Sequence, residues 1–351
     1  MKLSNHQTNA LHKIVVGLRD EELKEQTLGG YAGTGKTTLI KYLTKFYPNY
    51  GVCAYTGKAA NVLRKKGMSA TTIHSRIYEP VFYNNQIHFD LTATPGCEGF
   101  VVDEASMVSQ EIYDDLCSFD LPIVFVGDHG QLEPVDSNFN LMAKPMYTLE
   151  EIHRNAGTIA RFAEHIRKGF SARGFDDTSG KVKFLSQKQV TDSLLSEVDQ
   201  VICAYNATRV GINTRMRKIL GYEGVVNVGE RVMCLRNNKE LGLFNGMQGV
   251  VVDLYKSKRG RQLLDFEFDD TIIKGIPLDL KQFGQEKYKI KHGKGTLNPF
   301  DYAYGITCHK AQGDEWGRVL VIEQKCKNWS HRRWAYTAGS RAKDMLYWKL
   351  A

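Results

Sequence analysis

Gly29-Gly30-Tyr31-Ala32-Gly33-Thr34-Gly35-Lys36-Thr37-Thr38 is the stretch on which the reading of this chain turns. From Gly30 to Thr37 it fills every position of G-x-x-x-x-G-K-[ST], the phosphate-binding loop of nucleotide triphosphatases. Gly30, Gly33 and Gly35 allow a tight turn that brings backbone N–H groups to phosphate oxygens. Lys36 supplies a cation for the β- and γ-phosphates, and the Thr37 hydroxyl suits Mg²⁺. Thr34 and Thr38 complete the nucleotide-binding stretch. Leu39, Ile40, Tyr42 and Leu43 then predict a helix whose positive N-terminus faces the phosphates. The competing reading is a chance glycine-rich turn before an ordinary helix. Ahead of the loop, Gln26-Thr27-Leu28 gives only a weak strand signal.

The 351 residues suffice for two or three domains, each with a core. Hydrophobic content of 42% and charged content of 25% are those of an ordinary globular protein. No apolar run approaches the roughly 20 residues that span a bilayer, and Met1 to Gln7 lacks the apolar core of a signal peptide. The seven cysteines never fall in C-x-x-C spacing, which argues against a zinc site or a disulfide framework. A cytoplasmic location is therefore expected, the host cytoplasm if the chain is phage-encoded. The net charge of +8 suits a polyanionic partner without requiring one.

Further polar groups recur where apolar runs end. Asn5 to Leu18 has helical spacing after Ser4, with Gln7 in its first turn; a Gln there could read an adenine edge or could simply be solvated. Tyr50 to Tyr55 reads as a buried strand before Thr56-Gly57-Lys58, and Thr72 and His74 follow where a loop meets a helix. Phe82, Tyr83 and Phe89 flank Asn84-Asn85 in a β-hairpin pattern. Phe100-Val101-Val102-Asp103-Glu104 is an apolar strand ending in two carboxylates, suited to holding Mg²⁺ (Asp103) and polarising the attacking water (Glu104). Gly127-Asp128-His129-Gly130-Gln131 follows another apolar run, placing Gln131 to sense a γ-phosphate. Arg154 is a candidate arginine finger, although an arginine taken by itself is more often a surface salt-bridge residue. From Gly229 to about Phe283, short strands with glycine turns suggest a small barrel. Thr307, His309, Gln312 and Gly313 mark a return to α/β texture, and Arg341 closes a last helical pattern.

Taken in order, G-x-A-G-T-G-K-T-T, T-G-K-A-A, T-I-H, V-D-E-x-S-M, G-D-x-x-Q-L-x-P-V, H-R-N, T-x-H-K-A-Q-G and Y-T-A-x-S-R resemble the superfamily 1 DNA helicases, in the RecD-like branch that includes small phage helicases. The resemblance implies an α/β fold of two RecA-like P-loop NTPase domains. A β-hairpin pin would be inserted in the first and an SH3-like β-barrel in the second. The implied bounds are residues 1–78 and 98–150 for the first domain and 79–97 for the pin. The second domain takes 151–225 and 301–351, and the barrel 226–300; this insertion is short, so further DNA-gripping elements of relatives are not expected.

By the same likeness Gln7 contacts adenine, and Lys36, Thr37, Asp103, Glu104 and Gln131 serve ATP and Mg²⁺ in the first domain. Arg154, Arg341, Gln312 and Gly313 act from the second. Thr56, Lys58, Thr72, His74, Thr307 and His309 would hold the DNA backbone, with Phe82, Tyr83 and Phe89 on the pin. The implied activity is ATP-driven 5′-to-3′ movement on single-stranded DNA with unwinding of tailed duplexes, by a monomer, with replication or recombination proteins as further partners. An RNA-directed ATPase and a nucleotide-gated DNA clamp are the alternatives; intact Asp103, Glu104, Arg154 and Arg341 speak against the clamp.

Overall fold

Strands that read as unbroken apolar runs belong inside a parallel sheet covered on both faces. The structure, a computed structural model, describes residues 3–20, 23–83, 86–133, 139–151, 157–238, 240–268, 271–287, 297–325 and 329–351, without the side chains of residues 80–89. The chain divides into two compact units between Arg161 and Phe162.

The first unit runs α1 (Asn5–Gly17), β1 (Glu25–Gly30), α2 (Lys36–Phe46), β2 (Tyr50–Ala54), α3 (Gly57–Lys65), β3 (Ala70–Thr72) and α4 (Ile73–Ile77). It continues through β4 (Tyr78–Tyr83), β5 (Gln86–Leu91), β6 (Gly99–Asp103), α5 (Gln110–Cys117), β7 (Ile123–Gly127) and β8 (Tyr147–Leu149). Six strands form one sheet in the order β3-β2-β6-β7-β1-β8, and the pairings are parallel. Alternation along the strands divides the core. Leu28, Val101, Val124 and Val126 pack with Ile14, Leu39, Leu43 and Leu63 of α1, α2 and α3. Phe100, Val102 and Phe125 face the other way, against Ile73, Ile77, Ile112 and Leu116 of α4 and α5. Each such side chain contributes about 1.5–3 kcal/mol on burial.

The weak strand signal before the phosphate loop has a local cause. Gln26 is fully buried in β1, and its Nε2 donates to the Ile14 carbonyl at 3.2 Å. A polar residue thus occupies a central strand because α1 supplies its acceptor. β4 and β5 pair as a separate two-stranded sheet; the Asn84-Asn85 turn lies outside the described residues.

The second unit takes most of α6 (Gly157–Arg167), then β9 (Val182–Leu185), α7 (Asp192–Glu197), β10 (Gln200–Cys203) and α8 (Asn206–Ile219). The barrel strands follow: β11 (Arg231–Cys234), β12 (Gln248–Lys256), β13 (Gln262–Phe268), β14 (Thr271–Asp279) and β15 (Asn298–Tyr302). The unit ends with β16 (Gly305–Thr307), β17 (Trp316–Ile322), α9 (His331–Gly339) and β18 (Ala342–Lys349). Its parallel sheet has the order β16-β10-β17-β18-β9, and β11 to β15 close into a barrel. Val232, Val251, Leu264, Phe266, Ile276 and Phe300 fill the barrel, with the Phe266 and Phe300 rings 5.2 Å apart at 67°.

α8 meets the barrel through a polar seam of Arg209, Asn213 and Arg217, one residue per turn. Arg209 pairs with the buried Asp301 and donates to the Gln285 carbonyl at 2.6 Å. Asn213 donates to the carbonyls of Tyr302 (3.0 Å) and Gly305 (3.1 Å) and accepts from Gly305 N–H at 2.7 Å. Arg217 pairs with the buried Glu230 at 2.6 Å and lies 4.5 Å over the Tyr302 ring.

Candidate nucleotide and nucleic-acid sites

A parallel sheet gathers the loops after its strands along one edge, where ligands of α/β proteins bind. β1 opens directly into the phosphate loop. Gly33 and Gly35 adopt φ of 81° and 83°, a region that costs a residue with a Cβ. At Gly30 a Cβ would stand 2.7 Å from Thr34 Oγ1. Thr34 is buried, its hydroxyl donating to the Tyr31 carbonyl at 2.8 Å. Lys36 Nζ donates to the carbonyls of Gly30 (2.6 Å) and Tyr31 (3.1 Å), which holds the cation over the loop. Thr37 and Thr38 are half-buried in the first turn of α2.

Gln7 is buried, so it is not a solvated surface residue. Its Oε1 accepts from Ser4 N–H at 3.1 Å in a reciprocal cap of α1. Its Nε2 donates to the Thr34 carbonyl at 3.0 Å. Gln7 therefore ties α1 to the phosphate loop.

Asp103 ends β6, and its Oδ1 accepts from Glu104 N–H at 2.9 Å. Burial raises the Asp103 carboxyl pKa, while that N–H and the charges of Lys36 and Lys66 pull it down. Glu104 takes the left-handed conformation at φ 56°, a cost of about 1–3 kcal/mol for a non-glycine residue, met mainly at functional sites. Gln131, buried after β7, donates to Asp128 Oδ2 at 3.3 Å. The buried Asp128 also accepts from Gly130 N–H at 2.9 Å, closing the turn that presents Gln131. Among the described residues no group of three or more His, Cys, Asp or Glu could hold a metal. The Thr37 hydroxyl and the Asp103 carboxylate nevertheless fit Mg²⁺, which takes few protein ligands when phosphates and water complete its shell. A cation would also hold Asp103 ionised.

In the second unit Arg341 is buried just before β18. Its guanidinium donates to the Thr337 carbonyl (3.0 Å), the Asp314 carbonyl (3.1 Å) and Ser340 Oγ (2.8 Å). These acceptors are all neutral, and among the described residues no carboxylate pairs with it. Gly313, with φ 81°, immediately precedes Asp314, and Gln312 is buried beside it. The structure thus brings Arg341 and the Gln312-Gly313 turn together. Arg154 lies outside the described residues.

Comparison with known proteins bears on the family of the chain. An AAA domain model matches residues 2–187, more than half of the chain, and a UvrD-like helicase C-terminal domain matches 302–347. The ATP-dependent RecD2 DNA helicase of Deinococcus radiodurans is 28% identical, over 91% of this chain and 46% of its own. The ATP-dependent DNA helicase Dda of Enterobacteria phage T4 is 30% identical, over 82% of this chain and 75% of its own. The chain belongs to the superfamily 1 DNA helicases, in their RecD-like branch. It spans about half the length of the RecD2 relative. A Bacteroides Pif1 helicase, solved with ADP-AlF3 and single-stranded DNA, shares the fold at a TM-score of 0.63, with 21% identity over 99% of this chain and 92% of that one. The fold is that of two RecA-like domains, with a hairpin inserted in the first and an SH3-like barrel in the second.

The helicase motifs expected on DNA occupy the same sheet edges. Thr56 caps α3, its Oγ1 accepting from Ala59 N–H at 3.1 Å, and Lys58 lies half-buried one residue into that helix. Thr72 caps α4 and also donates to Ser75 Oγ at 2.7 Å. The His74 ring packs 5.5 Å from Tyr78 and 6.4 Å from Tyr55. Thr307 makes no side-chain capping bond, unlike the other two threonines. Burial and the charge of Lys310 lower the His309 pKa. The side chains of Phe82, Tyr83 and Phe89 lie outside the description. Asp128 was legible only as part of G-D-x-x-Q; an Asp two residues before Gly130 is the turn signal that assigns it a role.

Proposed function

We propose that this chain is an ATP-driven translocase that moves 5′ to 3′ on single-stranded DNA and unwinds tailed duplexes. The polarity follows from the likeness to the RecD-like branch; the observation that carries the rest of the reading is the alignment of one sheet edge. Lys36, Asp103-Glu104 and Gln131 follow β1, β6 and β7, while Thr56 and His74 follow the neighbouring β2 and β3. Nucleotide groups and backbone-binding groups therefore share the C-terminal ends of adjacent strands. Contacts to phosphate carry no sequence information, as a translocating enzyme requires.

Lys36 and the loop N–H groups bind and orient the triphosphate. Thr37 and Asp103 would hold Mg²⁺, which supplies charge neutralisation at the phosphates. Glu104 is the general base for the attacking water, and Gln131, fixed by Asp128, reads the γ-phosphate. Arg341, with spare N–H donors and no carboxylate partner among the described residues, is proposed to stabilise charge on the transferred phosphoryl group. The RecD2 and Dda relatives are named as ATP-dependent DNA helicases, and the Pif1 neighbour was solved with single-stranded DNA, which supports DNA as the substrate. Strand displacement on duplexes with only a 5′ or only a 3′ tail tests the reading. Unwinding confined to the 5′-tailed substrate is expected; unwinding from the 3′ tail alone would reverse the polarity, and none from either would refute the helicase assignment.

A further inference from the structure

Three adjacent parallel strands of the second unit, β16, β10 and β17, end side by side. Cys203 and Thr307 are in register, so Tyr205 and His309, two residues beyond each, leave the sheet at the same edge. Trp329 follows β17 and comes back to that edge. Its ring lies 6.2 Å from Tyr205 and 5.3 Å from His309, at interplanar angles of 38° and 75°. Tyr205 is 39% exposed, and its hydroxyl is fixed by the Lys325 carbonyl at 2.7 Å. The Trp329 indole N–H is buried, with no acceptor among the described residues. Lys325 and Arg332, both exposed, flank Trp329 in sequence. An exposed ring held in place by its own hydroxyl and backed by a second ring is an arrangement on which a nucleobase stacks.

We propose that Tyr205, backed by Trp329 and His309, forms a stacking platform for bases of single-stranded nucleic acid, next to the backbone contact expected at Thr307. This inference rests on the proposed function and adds a base-contacting subsite to it. Because stacking uses the face of the base, the platform accepts any sequence, and only a strand with bases can use it.

Fluorescence anisotropy on the full chain, with a labelled oligo-dT and an abasic strand of equal length at fixed salt, tests the platform. The unmodified chain should bind oligo-dT more tightly. Tyr205→Ala should weaken oligo-dT binding about ten-fold, within the range of one lost base stack, and leave abasic binding nearly unchanged. Tyr205→Phe should keep most of the affinity, because the ring remains. Tryptophan quenching on binding should shrink in Trp329→Phe. Equal losses on both strands, or no loss on either, would overturn the platform, as would full quenching in Trp329→Phe. Failure of the unmodified chain to bind either strand would instead refute the nucleic-acid reading on which the platform depends.

Discussion

Among the described residues Lys36 bonds only to carbonyls of its own loop, so its substitution acts on the nucleotide rather than on the rest of the sheet edge. Lys36→Ala should lower ATP turnover on the order of 10³-fold, the loss of one transition-state cation, while single-strand binding survives. A DNA-stimulated ATPase persisting in that variant would remove Lys36 from the site. Asp103 gives the opposite pairing of stability and activity. Its folded-state pKa lies above the ordinary 3.8 because of burial, so folding favours the protonated form. The stability it contributes is full below pH 3.8 and is lost as the pH rises through the raised value. At neutral pH without Mg²⁺ the charged carboxylate is therefore a cost. Asp103→Asn should raise the melting temperature of the metal-free protein and abolish Mg²⁺-dependent hydrolysis; a lower melting temperature would contradict the burial argument. Arg341→Ala should depress turnover at saturating ATP more than it weakens nucleotide affinity. A change confined to KM would reduce Arg341 to a ground-state contact. Asp128→Ala should lower turnover without adding to the loss in Gln131→Ala, since one residue acts through the other.

At the scale of elements, the motifs were legible and their supports were not. The loop, the β6 carboxylates and Arg341 stand in short contiguous patterns, which is how chemistry constrained by local backbone geometry shows itself. β1 was obscured because the acceptor for Gln26 belongs to α1, outside the window of any strand pattern. Tyr205 and Trp329 were invisible as a pair, since only the adjacency of β10 and β17 unites residues so distant in sequence. The β4–β5 hairpin was legible from its turn, and its proposed use as a pin can be separated from simple packing. Replacing residues 81–89 with a short Gly/Ser turn should spare DNA-stimulated ATPase and translocation but sharply reduce unwinding. Parallel losses of melting temperature, ATPase and unwinding would instead make the hairpin a packing element.

Across the second unit, the barrel is an insertion whose chain leaves after α8 and returns into β16, yet it is fastened at more than its two crossing points. Every turn of the α8 seam presents a directional group: Arg209 to Asp301, Asn213 to the Tyr302 and Gly305 backbone, Arg217 to Glu230. Apolar faces can slip past one another at little cost, whereas a fork on a carboxylate holds one geometry. The joint therefore lacks a soft sliding mode, and the barrel should behave as a stiff lever on the sheet that carries it. Its amides and those of β10 and β16 should exchange with solvent deuterium as one cooperative block. Cutting one strut, as in Arg209→Ala, would strand the Asp301 charge at a cost of about 3–5 kcal/mol and let the lever swing before the sheet unfolds.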